Sequence, residues 1–346
     1  EERPGNRTTV SLALLRALSI PYGAVVLLRN RLYDLGILRQ RRLACPVVSV
    51  GNLTVGGTGK TPTVVLIASL VKRHGRRPAV LSRGYGGRAK NAVNVVSDGN
   101  SRLLGWQEAG DEPVLIAGAL PGIPVLTGSK RFLAGKTAVE RFGVDILILD
   151  DGYQHRSLFR NLNILLIDAA RPFGNGCLLP RGPLREPPAE LRRAHILLLT
   201  GNADEAASLP ETASLPAFRG IRRPMELIQA ETGRADSLST LRGRKVCAFA
   251  GIGSPEGFRQ DLTALGADIV SFRAFPDHHP YSLSDMEALR RTAEQSGASL
   301  TVTTEKDGVR LEGFPDFMAG ISLLRIGMEI TPAEPFEKWL FSRIDA

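Results

Sequence analysis

Between Cys45 and Pro62 the chain reads CPVVSVGNLTVGGTGKTP, a short β-branched run that feeds a glycine-rich loop ending in Gly59-Lys60-Thr61. Residues of these types at this spacing hold phosphate. Gly56, Gly57 and Gly59 lack a Cβ, so successive backbone N–H groups can turn inward around phosphate oxygens at the start of a helix. Lys60 can reach β- and γ-phosphates, and Thr61 is placed to offer its hydroxyl to Mg²⁺. Thr54, Val55, Gly56, Gly57, Thr58, Gly59, Lys60 and Thr61 are therefore the expected nucleotide-binding residues. The general pattern GxxxxGK[ST] has glycine where this chain has Thr54, so another backbone geometry must make the first turn of the loop.

Acidic residues supply the second element of such a site. DILILDDGYQH, Asp145 to His155, is an apolar strand ending in acid, the way phosphate-loop enzymes hold Mg²⁺ beside the loop threonine. Asp150 and Asp151 cannot both point the same way from a strand, so one faces the metal and the other a neighbouring site. A strand-end Asp can also cap the next turn, Asp-Gly being a turn signal; the upstream phosphate loop favours the metal role. Gln154 and His155 follow closely enough to line the same cleft. In GDEP, Asp111 fits a helix N-cap with proline in the first turn as well as it fits a general base. His278 and His279 lie in FPDHHPYS, a polar loop where a carboxylate could orient an imidazole; Ser284 and Glu287 have the spacing of a helix cap just beyond. Ser82, Arg83 and Tyr85 after a strand, Thr303 to Asp307 (TTEKD), and the Arg181, Arg185 and Glu186 loop are further candidates to face a ligand.

Short apolar runs at Asp145 to Asp150, Asn163 to Asp168 and His195 to Thr200 are suited to burial on both faces, and they alternate with helices, which implies a parallel sheet covered on both sides. A second strand and glycine-loop pattern starts at Lys245, with a helix at Phe258 to Leu265, strands at Asp268 to Phe272 and Ser299 to Thr304, and a terminal helix over Pro335 to Arg343. The expected division is an N-terminal segment 1–42, a core 43–205, a linker 206–240 containing extended pieces such as Met225 to Ala230, a smaller α/β unit 241–330 and a C-terminal helix 331–346. With 346 residues, two domains are the default. Three separated cysteines, Cys45, Cys177 and Cys247, argue against a disulfide framework or zinc site and for a reducing compartment.

Net charge is +9, and residues 1–44 hold eight arginines against three acids. There the basic residues flank apolar runs, and Pro21 interrupts the middle. The longest uncharged stretch, Ala17 to Leu28, has 12 residues, against the roughly 20 of a spanning helix. The expectation is an amphipathic segment lying on a membrane surface, with arginines near anionic headgroups. No small-residue cleavage site follows, so a cleavable signal is not expected. The alternatives are an ordinary helix packed on its own domain and a nucleic-acid surface; only Tyr22 and Tyr33 offer aromatic rings there, which argues against base stacking.

Taken in order, SVGNLTVGGTGKTP, LSRGYGG, GDEP, ILDDGYQHRSL, LPRGPLREP, FPDHHPYS and TTEKD resemble the tetraacyldisaccharide 4'-kinases, the lipid A 4'-kinases of Gram-negative bacteria. Thr54 is ordinary within that family's GN-x-x-V-GG-x-GK form. The resemblance implies an α/β fold with a phosphate-loop NTPase-like core, a mostly parallel sheet covered by helices on both faces, and a smaller, mobile second α/β domain. It implies ATP and Mg²⁺ as cofactors and transfer of the γ-phosphate to the 4'-hydroxyl of an acylated glucosamine disaccharide 1-phosphate, at the cytoplasmic face of the inner membrane. Lys60 and Thr61 match the family's loop residues, Asp150 and Asp151 its acidic metal pair, Asp111 its base and His278 that base's partner; Tyr153 and His279 receive no role. No nucleic acid and no obligate protein partner are expected. The rival is a membrane-associated switch or partitioning ATPase. A GTP switch would carry NKxD, which the chain lacks, and a partitioning ATPase often has an early loop lysine where this chain has Val55 and Gly56.

Overall fold

The structure is a computed structural model that describes residues 6–201 and 215–345, with side chains from residue 12 onward. Its strands are β1 (Val47–Asn52), β2 (Pro78–Ser82), β3 (Asn94–Ser97), β4 (Val125–Thr127), β5 (Ile146–Leu149), β6 (Leu162–Asp168), β7 (Ile196–Thr200), β8 (Ala217–Gln229), β9 (Ala235–Asp236), β10 (Lys245–Ala250), β11 (Asp268–Ala274), β12 (Leu300–Thr304) and β13 (Ile321–Thr331). All join one sheet in the order β11-β10-β12-β13-β8-β7-β6-β1-β5-β2-β4-β3, with β9 on β8. Strand β1 lies parallel between β5 and β6, so its carboxyl end opens where α/β sheets bind ligands.

Helices cover both faces because the strand residues alternate between two cores. Val48, Val50, Ile146 and Ile148 face α2 (Lys60–Arg73), α4 (Asp111–Ala119) and the C-terminal α10 (Ala333–Ile344). Val47, Leu147 and Leu149 face Ala134 and Ala138 of α5 (Arg131–Phe142). The short α3 (Trp106–Ala109) precedes α4. In the second unit Val246, Ala248 and Ala250 pack on Phe258 and Leu262 of α6 (Pro255–Ala264), and Phe249 on Met286 and Leu289 of α7 (Leu283–Gln295). Helices α8 (Glu305–Leu311) and α9 (Pro315–Met318) follow β12. The cap of α7 is Ser282, with Asp285 completing its capping box, two residues before the Ser284 and Glu287 pair that the spacing suggested.

The span read as a linker, 206–240, falls partly outside the described residues, but its described part contains β8. The first four residues of β8 run parallel to β7, and from Arg219 to Gln229 it pairs antiparallel with β13. Strand β13 in turn runs parallel to β12, so this ribbon makes the two units one sheet. AFRGIRRPMELIQ hides its strand character because much of the ribbon is not buried on both faces and so needs no continuous apolar run. Pro224 sits at the register shift opposite Ile326, where a proline is tolerated. The C-terminal helix packs on the first core: Phe336, Leu340 and Ile344 lie with Val64 and Ile67.

Helix α1 (Asn6–Asp34) runs unbroken through Pro21. Its polar side docks on the core. Ser19 Oγ donates to the Leu178 carbonyl at 3.0 Å, Tyr22 Oη to the Arg185 carbonyl at 2.9 Å, and Asp34 accepts from Arg156 and Arg192. Leu12, Leu14, Leu18, Ile20, Val25, Leu27 and Leu28 are exposed instead. The helix is thus inverted relative to a soluble amphipathic helix, whose apolar stripe faces the core. Leu12–Asp34, 23 residues, contains an 18-residue window of mean hydropathy 1.6 and is long and apolar enough by length and composition to cross a membrane. The 12-residue uncharged stretch read from the sequence is thus not the limit of the apolar segment: the helix runs on through Arg16 and Arg29, and Arg29 is paired with buried Glu186.

Candidate active site

The phosphate loop leaves β1 and enters α2 through residues that the fold forces into special backbone. Gly59 caps α2 at φ 87°, a conformation that favours glycine, and a Cβ there would meet only the mobile end of Met328 on the β13 ribbon. Thr54 does not need to be glycine. It forms an extended bridge with Leu184, and Val55 N donates to the Pro183 carbonyl at 2.8 Å, so the first part of the loop is braced by the LPRGPLREP segment and the left-handed turn waits until Gly56. Lys60 Nζ lies 3.3 Å from Asn52 Oδ1, 3.4 Å from the Gly56 carbonyl and 4.0 Å from Asp151 Oδ1. Asn52 Nδ2 also donates to Thr58 Oγ1 at 3.0 Å. Burial pushes the Lys60 ammonium below the usual lysine range, opposed chiefly by Asp151. Thr61, half-buried, is the second residue of α2.

Asp150 and Asp151 diverge, as two consecutive residues must. Asp150 is buried and accepts from Ser82 Oγ at 3.0 Å. Asp151, in left-handed backbone at φ 48°, accepts from Arg185 at 2.6 Å through Oδ2, while its buried Oδ1 has no hydrogen-bond partner. Burial first, then the Glu112 and Asp151 carboxylates, push Asp150 up to about 7, against the Ser82 hydrogen bond and Lys60. An orphaned carboxylate oxygen, a carboxyl starved of positive charge and the Thr61 hydroxyl form an all-oxygen set that fits Mg²⁺. Mg²⁺ is commonly bound through one or two carboxylates together with substrate phosphates.

The raised Asp150 has a measurable consequence in metal-free protein. Its folded pKa of about 7 exceeds the ordinary aspartate value of 3.8, so between these pH values the folded chain keeps a proton that the unfolded chain has lost. Its contribution to stability is present below about pH 4 and is lost as pH rises toward about 7. Urea unfolding across this window should show a decline that Asp150→Asn flattens; identical slopes in the two proteins would remove Asp150 as its source.

Asp111 is the first residue of α4, and Gly110 caps the helix without a side-chain bond, so the capping alternative does not describe it. Gly110 has φ 90°, and a Cβ there would lie 2.4 Å from the Tyr85 carbonyl oxygen. A larger residue would push Asp111 out of place. The Asp111 carboxylate is 6% exposed. Its Oδ1 accepts from Glu112 N at 2.9 Å, and its Oδ2 lies 2.9 Å from His278 Nδ1 and 3.9 Å from Arg310 Nε. Strain marks this loop also, since His278 has φ 58°. His278 comes from the loop after β11 and Asp111 from α4, so the pair joins the two units of the sheet. Glu112 influences both Asp150 and Lys60 electrostatically, which puts the pair beside the phosphate loop.

His279 instead stacks on Phe275, with Nε2 3.1 Å from Asp285, and Tyr153 is buried with its hydroxyl donating to the Glu190 carbonyl. His155 bonds Ser157, and burial followed by neighbouring arginines lowers it to about 4, so it is neutral near pH 7. Gln154 donates to the Asn52 carbonyl at 2.9 Å and to Glu186 at 3.4 Å. Ser82 and Arg185, read from the sequence as candidates to face a ligand, instead contact Asp150 and Asp151, and sequence reading did not single out Asn52, which contacts Lys60. Asn52 ends β1 directly before the loop, the one local signal that could have found it.

A sequence model described as tetraacyldisaccharide-1-P 4'-kinase (LpxK) matches residues 11–345. A tetraacyldisaccharide 4'-kinase of Syntrophus aciditrophicus is 52% identical over 97% of this chain and 94% of its own length. One from Anaeromyxobacter dehalogenans is 45% identical over 95% and 89%. A crystal structure of LpxK from Aquifex aeolicus in complex with ATP superposes with a TM-score of 0.81 at 34% identity, covering 96% of this chain and 99% of that one.

Proposed function

The chain belongs to the tetraacyldisaccharide-1-P 4'-kinase family, and on that premise we propose how its residues carry the reaction. It is an ATP-dependent kinase of lipid A biosynthesis that transfers the γ-phosphate to the 4'-hydroxyl of a tetraacylated glucosamine disaccharide 1-phosphate. The buried Asp111 held by His278, beside a phosphate loop, is the observation that carries the assignment of roles. Asp111 takes the proton of the sugar hydroxyl as its oxygen bonds the γ-phosphorus, and the bond to the β-phosphate bridge breaks to release ADP. His278 orients Asp111. Loop residues 54–61 bind the phosphates, with Lys60 placing its charge on the γ-phosphoryl group. Thr61, Asp150 and Asp151 would hold Mg²⁺, whose positive charge would offset that of the phosphate oxygens.

The core 43–205 and the unit 241–330 are the two bodies that share the site, joined within one sheet by the β8 and β13 ribbon, with the helix of 331–346 packed on the core. Because the base and its partner come from different bodies, their separation would disable the site and their approach would exclude water. The exposed apolar side of α1 supports attachment to the bilayer that carries the acylated acceptor, at the cytoplasmic face, where ATP is found.

Incubation with γ-labelled ATP, Mg²⁺ and a panel of acceptors tests the reading. Label should move to an acylated disaccharide 1-phosphate in detergent. Label recovered only as free phosphate would favour a switch ATPase instead.

A further inference from the structure

The TTEKD segment has no part in the assignments above, yet it carries a lysine to the catalytic pair. Lys306 is the second residue of α8. A cation in the first turn of a helix is on the unfavourable side of the helix dipole, so helix stability does not account for it. Its Nζ lies 3.3 Å from His278 Nε2, 3.4 Å from Glu112 Oε1 and 3.9 Å from Asp277 Oδ1. The helix start that carries it is firmly held. Buried Asp307 accepts from Thr304 Oγ1 at 2.6 Å, Tyr281 Oη at 2.7 Å, Arg310 at 2.6 Å and Gly251 N at 3.0 Å.

An ammonium has three donors and no acceptor, so His278 Nε2 can only accept from it. The ring proton then resides on Nδ1, 2.9 Å from Asp111 Oδ2, and is donated to the carboxylate. The opposite tautomer would set the Nδ1 lone pair against the lone pairs of Asp111. A competitor for that tautomer is present, since Asp277 Oδ2 lies 3.8 Å from Nε2 and could accept a proton there. Arg310 Nε, 3.9 Å from Asp111, and the Tyr85 ring, 6.4 Å from that of His278, are the other groups facing the pair. Neither chooses the tautomer: the guanidinium is nearer the carboxylate and the phenol ring meets the imidazole at an edge.

We propose that Lys306 is a positioning residue for phosphoryl transfer, its ammonium holding His278 in the Nδ1–H form that donates to Asp111. The proposal rests on the Asp111 and His278 reading given above. It adds a restriction to that reading: with Nδ1 already protonated and Nε2 engaged, His278 cannot take the proton that Asp111 collects from the sugar hydroxyl. The proton stays on Asp111 while the phosphoryl group moves, and it leaves afterward. Glu112, on the same helix as Asp111, keeps the lysine across the junction between the two units.

Nitrogen NMR of ¹⁵N-histidine protein tests this directly. The chain has five histidines, and the His278 signals are those lost in His278→Ala. At a pH where the ring is neutral, the full-length protein should show His278 with Nδ1 protonated. Lys306→Met should shift it toward the Nε2–H form and lower kcat by about 10- to 100-fold, part of the 10²–10⁴ that general acid–base catalysis supplies, with KM for ATP unchanged. Lys306→Arg should keep the tautomer and most of kcat. An unchanged tautomer in Lys306→Met would overturn the proposal, and so would a rise in KM for ATP without loss of kcat, which would make Lys306 a phosphate contact. The outcome is separable from the fate of the parent reading. Near-normal turnover of both Asp111→Ala and His278→Ala would remove the catalytic pair, whereas their loss together with an indifferent Lys306→Met would remove only the role of the lysine.

Discussion

Asp111→Asn lowers kcat by about 10²–10⁴-fold and leaves ATP affinity unchanged. The amide has almost the shape of the carboxylate and can still accept from His278 Nδ1 through its oxygen, so the 2.9 Å contact survives. What it cannot do is take a proton from the sugar hydroxyl. The phosphate loop is not disturbed, because Asp111 reaches it only through its neighbour Glu112 and the braces of Lys60 lie elsewhere, on Asn52 and Asp151. Single-turnover kinetics with saturating acceptor, together with calorimetric titration of ATP, separate the two effects. His278→Ala should cost less, since it removes orientation and leaves the base. Near-normal turnover in the Asp111→Asn protein would mean that the base lies elsewhere.

Glu186→Ala destabilises the protein by about 3–5 kcal/mol, the loss expected when one member of a buried charge cluster is removed and the others remain. The Glu186 side chain is wholly buried. Its Oε1 accepts from Arg29 at 2.7 Å and Asn30 at 3.1 Å, both on α1, and its Oε2 accepts from Arg193 and from Gln154. Gln154 in turn donates to the carbonyl of Asn52, whose side chain holds Lys60 and Thr58. One carboxylate therefore ties the helix with the exposed apolar side to the residue that positions the loop lysine. Beyond the loss in urea unfolding, proteolysis should cut nearer α1 and KM for the lipid should rise more than KM for ATP. Glu186→Gln, which keeps the shape and loses the charge, should fall between. Wild-type stability in Glu186→Ala would show that Arg29 and Arg193 find other partners and that the cluster does not hold α1.

Much of this architecture is legible in the chain because it depends on neighbours in sequence. The run before Gly56 has to be a strand and the run after Lys60 a helix, and ILIL at 146–149 alternates between two cores as a strand covered on both faces does. Where two readings were open, the sequence lacked the deciding information. Asp111 satisfies the rules for a cap as well as for a base, and only the path of the chain shows that Gly110 has the capping position. The β8 and β13 ribbon was legible only as an extended piece at Met225 to Ala230, for a related reason: two strands that find partners in each other need no continuous apolar run, so their pairing leaves little trace in composition.

The strand, glycine loop and helix around residues 54–61 and the divergence of Asp150 and Asp151 were determined by the sequence alone, since glycine conformation, strand alternation and the strand-loop-helix order act over a few residues. Tertiary structure decided what acts over long distances. It joined Asp111 to His278 across 167 positions, brought Lys306 to the far side of the same ring, turned Asp151 to Arg185 and Asp150 to Ser82, and set α1 with its polar side inward. Hydrogen bonds and charge pairs depend on where atoms end up in space, and no periodicity in the chain encodes which distant partners will meet.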